Sequence, residues 1–260
     1  MRKKLRIVLR PIHSLQARYA LCIGMAFYCR AFSVEAQTNE QIWCEYFLNI
    51  PFAKSFNVEN AFTYSTLIGK PKWRSMEYCP TVEYSISRFV DVLGAGLVSY
   101  TQQYESNNSL EIRAMLGTRF YFTPARRIQT RLLLRLEHRN FQNLETHEWE
   151  SQLRPRVRVE ATFPINQNSY FTNNLWYALV DIERLFVVSD VEERFGNRDR
   201  FRIGIGYRLN YSYRFEFIFM NQRSRNGIDE AFTSTDNIFR FRFKHYLRQS
   251  KPAKPSGAGG

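Results

Sequence analysis

The chain has few of the residues on which disulfide scaffolds and metal sites depend. Its 260 residues include four cysteines and four histidines, and they contain no zinc-ligand spacing, phosphate-binding glycine loop or nucleotide fingerprint. After residue 37, no apolar run approaches the roughly 18 residues of a membrane-spanning helix. These absences exclude a disulfide framework and a helical membrane protein, and we expect neither a cofactor nor a metal. Any membrane span must be made by strands.

Aromatic and charged residues, by contrast, are both abundant. The chain carries 22 Phe, 15 Tyr and 4 Trp, and 23% of its residues are charged. A soluble globule buries most of its aromatic side chains. This chain has so many aromatic residues that burial in a core does not by itself explain them.

The first 36 residues have the pattern of an export signal. A basic start leads into an apolar stretch at 19–29 that is too short to span a bilayer, and we expect cleavage near Ala36. Arg30 and the long basic leader leave a membrane-associated N-terminal helix as the alternative. Cleavage removes seven Lys/Arg and one Glu, which lowers the formal net charge from +13 to 30 − 23 = +7. Because much of the basicity belongs to the leader, we expect no nucleic-acid partner.

Two cysteines, Cys44 and Cys79, remain after the leader. One bridge between them is allowed in an oxidising compartment, but two cysteines do not make a framework. Whether they pair is left open by the sequence.

Apolar and polar residues alternate with a period of two along most of the chain after the leader, as in strands with two different faces. The segment IFRFRFKHYL at 238–247 shows the pattern plainly, because cations separate its phenylalanines. The predicted strands lie at 40–50, 54–66, 75–87, 90–103, 108–122, 127–140, 147–163, 169–184, 197–210, 212–224 and 235–247.

Short and longer connections alternate between these strands, which is the layout of a transmembrane up-and-down barrel. We therefore predict an all-β, antiparallel up-and-down transmembrane β-barrel of about 10–12 strands, with the short turns in the periplasm. The count of eleven conflicts with the even number usual in bacterial barrels, so a strand is split or missed, or 40–50 does not cross in the ordinary way. The short connections are 49–55, 87–91, 123–127, 164–169 and 210–212, and the longer ones are 67–75, 103–109, 141–148, 187–197 and 223–236.

These strands divide the chain into three expected parts. They are a signal peptide at 1–36, an outer-membrane β-barrel at 37–247 and a disordered tail rich in Pro, Gly and Lys at 248–260. A soluble periplasmic barrel or sandwich with a filled interior is the rival architecture.

The two faces of the predicted strands differ in chemistry. A cation on the lipid face costs about 2–4 kcal/mol at the midplane, so the charged face is expected to point inward. We expect Arg–Glu pairs to fill the lumen, and a cation-lined conduit or pocket for small anionic solutes is the alternative. The predicted carboxylate partners are Glu83, Glu111, Glu137, Glu150, Glu160 and Glu216. The predicted lumen-lining residues are Arg113, Arg119, Arg131, Arg135, Glu137, Arg154, Arg156, Arg158, Glu160, Arg202, Arg208, Arg240, Arg242 and Lys244. The predicted lipid-facing residues are Leu132, Leu134, Val157, Phe239, Phe241 and Phe243.

Some outer-membrane barrels are lipid hydrolases that use a serine and a histidine on the outer wall, so we searched for that pair. The histidines after the leader are His138, His147 and His245. Ser151 is four residues from His147, but that spacing in a strand does not bring two side chains into hydrogen-bond reach. Interfacial or loop histidines are the simpler interpretation, so we predict no catalytic residues and no enzyme. A lipid-modifying enzyme that requires His147 is an alternative.

Five short segments, in their order along the chain, carry a resemblance to a known family. They are QIWCEY at 41–46, NIPFAK at 49–54, YFTPARR at 121–127, IGIGYRLN at 203–210 and FMNQ at 219–222. Through them, residues 38–247 are similar to the outer-membrane barrel-like family called domain of unknown function 2490, of Bacteroidetes-type Gram-negative bacteria. The resemblance implies an outer-membrane barrel and brings no known activity, so no catalytic roles transfer. The basic leader and the tail after Leu247 depart from a typical member.

We therefore expect an outer-membrane protein of a Gram-negative bacterium with a structural or interaction role. Its expected partners are outer-membrane lipids and the barrel assembly machinery. A narrow pore or transporter for small anions is the second hypothesis, and the solute is not identified by the sequence.

Overall fold

The structure, a computed structural model, describes residues 39–103, 108–123, 127–186, 188, 198–224 and 233–247. The predicted signal peptide at 1–36 and tail at 248–260 lie outside the described residues. Within them, the regular elements are all β-strands, and no helix is long and apolar enough to cross a membrane. The strands are β1 (Asn39–Pro51), β2 (Phe56–Leu67), β3 (Lys70–Ser87), β4 (Val90–Gln102), β5 (Ser109–Tyr121), β6 (Gln129–Asn143), β7 (Trp149–Pro164), β8 (Leu175–Leu185), β9 (Arg198–Arg208), β10 (Tyr213–Ser224) and β11 (Thr233–Tyr246).

The strands form one closed barrel of eleven strands in which sequence neighbours pair. Those pairs are antiparallel, whereas β1 and β11 close the barrel as a parallel pair with Cys44 opposite Phe241. In an up-and-down series with an odd number of strands, the first and last run in the same direction, so the closing pair must be parallel. The all-β up-and-down barrel is thus confirmed. The conflict over strand number is resolved at the seam, since the eleven strands of the described residues close the barrel by themselves.

Two of the predicted connections are wrong. The long loop predicted at 67–75 is a two-residue turn of Ile68 and Gly69, because β3 extends back to Lys70. Gly69 has a φ of 74°, a left-handed conformation that glycine adopts without steric cost in a tight turn. At the opposite end of the barrel, β8 begins at Leu175 rather than at 169, so residues 165–174 form a longer connection than predicted.

The connection at 165–174 reaches into the interior of the barrel. Tyr170 packs against a buried apolar cluster that includes Leu175 and Tyr177, and the two tyrosine rings meet edge-on with centroids 5.4 Å apart. Arg208 Nη1 donates a hydrogen bond of 2.8 Å to the backbone oxygen of Tyr170, and Arg214 Nη1 donates one of 3.2 Å to its hydroxyl. This end of the barrel also holds the connections at 52–55 and 209–212, and it is called the short-turn end below. Side chains therefore occupy the interior at the short-turn end.

Alternate residues of each strand face opposite sides of the wall. On β11, Arg240 and Arg242 line the interior, while Phe241 points outward and is 51% exposed. The outer surface is apolar or aromatic over most strands, and its rings stack across neighbours, as Phe215 and Phe243 do with centroids 5.0 Å apart. Cys44 is exposed and Cys79 is half-buried on the inner wall, and both are free thiols. The two cysteines lie on opposite faces and do not pair.

A disulfide across the seam tests the parallel closure. With Cys22, Cys29 and Cys79 replaced by alanine, Phe241→Cys should cross-link to Cys44 on mild oxidation, because directly opposite strands lie about 4.8 Å apart. Peptide mass spectrometry without reduction identifies the product.

Phe217→Cys is the matched control for the seam disulfide. Phe217 is opposite Phe241 on β10, one strand further from Cys44, at roughly 10 Å and beyond disulfide reach. Failure of Phe241→Cys to cross-link in the folded protein, or equal cross-linking by Phe217→Cys, would contradict the closed seam.

Candidate functional site

The interior wall is the largest polar constellation of the described residues. A cavity of about 810 Å³ lies inside the barrel. Glu137 is completely buried beneath arginines of this wall, and Arg208 lies apart, at Tyr170. The predicted lumen residues that line the cavity are Arg113, Arg119, Arg131, Arg135, Arg154, Arg156, Arg158, Glu160, Arg202, Arg240, Arg242 and Lys244. The residues predicted to face lipid lie on the opposite, outward phase of their strands: Leu132, Leu134, Val157, Phe239, Phe241 and Phe243.

Glu137 on β6 is the centre of an ion-pair cluster. Its carboxylate lies 2.6 Å from Arg154 Nη2, 2.5 Å from Arg156 Nη1 and 2.9 Å from Arg135 Nη2. Arg113 approaches from β5 at 3.6 Å. A carboxylate has about four lone-pair sites, so one glutamate can accept from several guanidinium groups at once. The cluster ties β5, β6 and β7 together through side chains.

Glu183 on β8 continues the cluster around the wall. Arg156 bridges the two glutamates, because its Nη2 lies 2.5 Å from Glu183 while its Nη1 contacts Glu137. Arg202 on β9 then contacts two carboxylates of β8, Glu183 at 2.9 Å and Asp181 at 2.6 Å. The ion pairs therefore run without a break across four consecutive strands, from β6 to β9.

A second cluster crosses the parallel seam. Glu45 on β1 pairs with Arg240 and, at 2.9 Å, with Arg242 on β11. Arg242 also contacts Glu216 on β10 at 3.0 Å, and Lys244 contacts the same glutamate at 2.8 Å. The seam is thus held by buried charge pairs as well as by backbone hydrogen bonds.

Two smaller groups lie elsewhere on the inner wall. Arg119 lies 2.8 Å from Glu83, which links β5 to β3. Glu160 pairs with Arg131, and Arg158 approaches it at 3.8 Å. Arg119 and Arg131 are therefore held closely by their glutamates, whereas Arg158 is held only loosely.

Some guanidinium N–H groups on this wall have no acceptor among the described residues. The Nε atoms of Arg135, Arg158 and Arg240 are buried and have no hydrogen-bond partner within the described part of the chain. A buried donor without a partner costs about 1–3 kcal/mol. These N–H groups line the cavity and suit water or a small anion there.

Sequence reasoning missed two of the central carboxylates and misplaced a third. Glu45 and Glu183 lie in the inward phase of predicted strands, so the alternation itself carried the signal. The prediction that Glu150 is an ion-pair partner in the lumen is wrong. Glu150 is exposed at the rim near the start of β7 and lies outside the ion pairs described for the lumen. The inward phase therefore identifies a charge on the wall but not its depth.

A different polar group lies on the outer wall. Ser151 Oγ is 2.9 Å from His138 Nε2, and Asn140 Nδ2 is 3.4 Å from Nδ1 of the same ring. Ser151 therefore contacts His138 across the two strands rather than the nearby His147, a relation that spacing along one strand does not reveal. No group of three or more His, Cys, Asp or Glu side chains suited to a metal ion occurs among the described residues.

Glu137→Gln tests the role of the central carboxylate. The substitution keeps the shape but leaves the surrounding arginines without their counter-charge, so we expect the free energy of unfolding to fall by about 3–5 kcal/mol. Urea unfolding in detergent micelles measures the change. Glu150→Gln, at the exposed rim, is the control and should stay within about 0.5 kcal/mol of the parent. Equal effects of the two substitutions would contradict the cluster.

Comparison with known families agrees with the segment resemblance. The family described as "Protein of unknown function (DUF2490)" matches residues 40–233, which run from β1 to the first residue of β11. The match is shorter at both ends than the resemblance over 38–247. No curated protein is significantly similar to the chain. Because the match covers more than half of the 260 residues, the chain belongs to the DUF2490 family.

Proposed function

We propose that the protein is an integral outer-membrane barrel whose lumen is braced by arginine–carboxylate pairs and which acts through its surface rather than by transport. The supporting observation is the division of the wall, with apolar side chains outside and ion pairs inside. A soluble barrel has the opposite need, since it buries apolar side chains and exposes charges. A bilayer favours the observed division, because a spanning barrel needs an apolar outer band about 25 Å tall.

Strand length fits such a band. β5 has 13 residues, which at about 3.3 Å per residue and a tilt of roughly 40° gives a height of about 33 Å. This height exceeds the apolar band and leaves a short polar rim at each end. Strands of this length are longer than a soluble barrel usually needs.

Aromatic pairs at the short-turn end suit a membrane interface. The tilted rings of Phe56 and Tyr84 pack with centroids 4.6 Å apart, and those of Trp176 and Tyr207 pack at 4.8 Å. Trp149 is half exposed at the opposite end of the wall. Aromatic girdles at both interfaces are typical of spanning barrels.

The interior supports a braced lumen rather than an open channel. Buried ion pairs link the wall from β5 to β9 and across the seam, and Tyr170 occupies the short-turn end. Ions would have to pass between charged side chains that are held close to one another by these pairs. On this proposal, the partners are outer-membrane lipids and the assembly machinery that inserts barrels.

One observation favours a second function, a passage for small anions. The cavity is lined by more Arg and Lys than Asp and Glu, and the Nε of Arg158 has no partner within the described chain. An anion could be held there by charge-assisted hydrogen bonds. This function needs a continuous path, which a braced lumen would not supply.

Phe241→Arg tests membrane insertion. A cation on the outward face near the middle of β11 should cost on the order of 2–4 kcal/mol in the bilayer, so the amount in the outer-membrane fraction and the heat-modifiable band should both fall. Phe241→Leu is the control and should insert like the parent. Recovery of the parent protein in the soluble periplasm, or unchanged insertion of Phe241→Arg, would sink the membrane proposal.

Planar-bilayer recording separates the two functions. A braced lumen should give no discrete current steps with potassium chloride on both sides. Anion-selective steps that shrink in Arg158→Gln, and not in Arg184→Gln on the outward face, would instead support the passage. Such steps would overturn the first proposal.

A further inference from the structure

Three polar side chains meet on the outer wall near the connection between β6 and β7. His138 and Asn140 are two residues apart on β6 and so share the outward face, and Ser151 is directly opposite Asn140 on β7. Ser151 Oγ lies 2.9 Å from His138 Nε2, and the Asn140 carboxamide lies 3.4 Å from Nδ1. The imidazole is therefore held between a hydroxyl at one nitrogen and a carboxamide at the other.

Apolar side chains lie beside this polar group on the outward face. The outward neighbours Ile112, Leu136 and Leu153 are apolar, and Ile112 and Leu136 are well exposed. A polar group in contact with hydrocarbon costs several kcal/mol unless it is satisfied. The three polar side chains interrupt the apolar outward face of β6 and β7, and they satisfy one another through the contacts to His138.

We propose that Ser151, His138 and Asn140 form a hydrolytic site for acyl esters of membrane lipids. A hydroxyl nucleophile, an imidazole base and a side chain that orients the base are the three parts of a serine hydrolase. The amide of Asn140 presents its oxygen to the ring after a rotation of about 180°. Oδ1 then accepts the hydrogen of Nδ1, which leaves Nε2 free to accept the Ser151 hydroxyl proton.

The reaction balances with water as the second reactant. Ser151 Oγ attacks the ester carbonyl carbon while His138 Nε2 takes the hydroxyl proton. The tetrahedral adduct breaks its bond to the alcohol oxygen, which leaves with that proton and gives an acyl-serine. Water then attacks the acyl carbon and gives a proton to His138 Nε2. The second adduct breaks its bond to Ser151 Oγ, which takes the proton back from His138, and the fatty acid is released.

The height of the site on the wall indicates the substrate class. Ser151 is the third residue of β7 and Trp149 the first, so the group lies just inside an aromatic residue of the kind found at membrane interfaces. Lipid ester carbonyls lie at that level, between hydrocarbon and headgroups. Exposed apolar side chains such as Leu136 continue from the site toward the middle of the wall and suit an acyl chain.

The first test measures the nucleophile without assuming a substrate. The full chain, folded in an ester-free detergent, should be labelled at Ser151 by a fluorophosphonate, as identified by peptide mass spectrometry. Labelling should be lost in Ser151→Ala and fall by on the order of 100-fold or more in His138→Gln. His147→Ala, in the adjoining connection, is the matched control and should label like the parent.

The second test identifies the ester. Mixed micelles of phosphatidylethanolamine and, separately, purified lipopolysaccharide are incubated with the protein, and released fatty acid is measured by mass spectrometry. Release from the first points to a glycerophospholipid, and release from the second to an acylated saccharide. In either case Ser151→Ala should lower the rate by on the order of 10³-fold or more.

Asn140 is a positioning residue, and its role has its own readout. Asn140→Ala should lower kcat with little change in KM, whereas Asn140→Asp should restore much of kcat and alter the pH profile, because a carboxylate also accepts the Nδ1 hydrogen. Heat-modifiability shows that each variant is folded. Folded parent protein that neither takes up the fluorophosphonate nor releases fatty acid would overturn the proposal, as would labelling of Ser151 that is independent of His138.

Discussion

Every charge on the inner wall needs its counter-charge inside the barrel, and the rest of the structure follows from this requirement. Isolated ions in a low-dielectric interior cost several kcal/mol each, and removal of one partner from a buried pair typically costs about 3–5 kcal/mol. The wall meets the requirement largely because one carboxylate is shared by several arginines. Glu137 and Glu183 each accept from several arginines, and Arg156 connects the two. Each cluster of the lumen therefore spans several strands, so a single change is felt on neighbouring strands.

Ion pairs of the second cluster also support the closure of an odd number of strands. A parallel pair is slightly less stable per residue than an antiparallel one, and the β1–β11 seam is of this kind. Glu45 and Arg242 add buried charge pairs across the seam, and Glu216 continues them to β10. On the other side of the wall, rings in contact such as those of Phe217 and Phe241 face outward with centroids 5.1 Å apart. Side chains on both faces thus support the closing pair.

The alternation of residues was enough to predict the barrel, because a period of two fixes both strand and face. It predicted eleven segments and assigned Arg156 and Phe241 to opposite sides, as the structure has them. It could not predict depth, so Glu150 was placed among the ion pairs although it is exposed at the rim. It also could not predict neighbours across strands. Register depends on turn lengths that local sequence does not fix, and the turn at Gly69 was taken for a long loop.

The group on the outer wall shows the same limit most clearly. His138 and Ser151 are 13 residues apart, and their contact exists because Asn140 pairs with Ser151 in the register of β6 and β7. A search along one strand therefore finds the residues but not their relation. Polar side chains that interrupt an apolar face are the sequence signal for such a site, and the register is needed to decide whether they meet.

The central proposal is that the wall separates lipid from an ion-paired interior. The most direct measurement is a nitroxide scan of β11 from Asn237 to His245 in lipid vesicles, with collision rates for oxygen, which enters lipid, and for a water-soluble nickel chelate. The account predicts a period of two, with high oxygen collision at Phe239, Phe241 and Phe243. Low collision with both reagents is expected at Arg240 and Arg242. High nickel collision at those two arginines would mean an open aqueous lumen, and loss of the alternation would contradict the barrel wall itself.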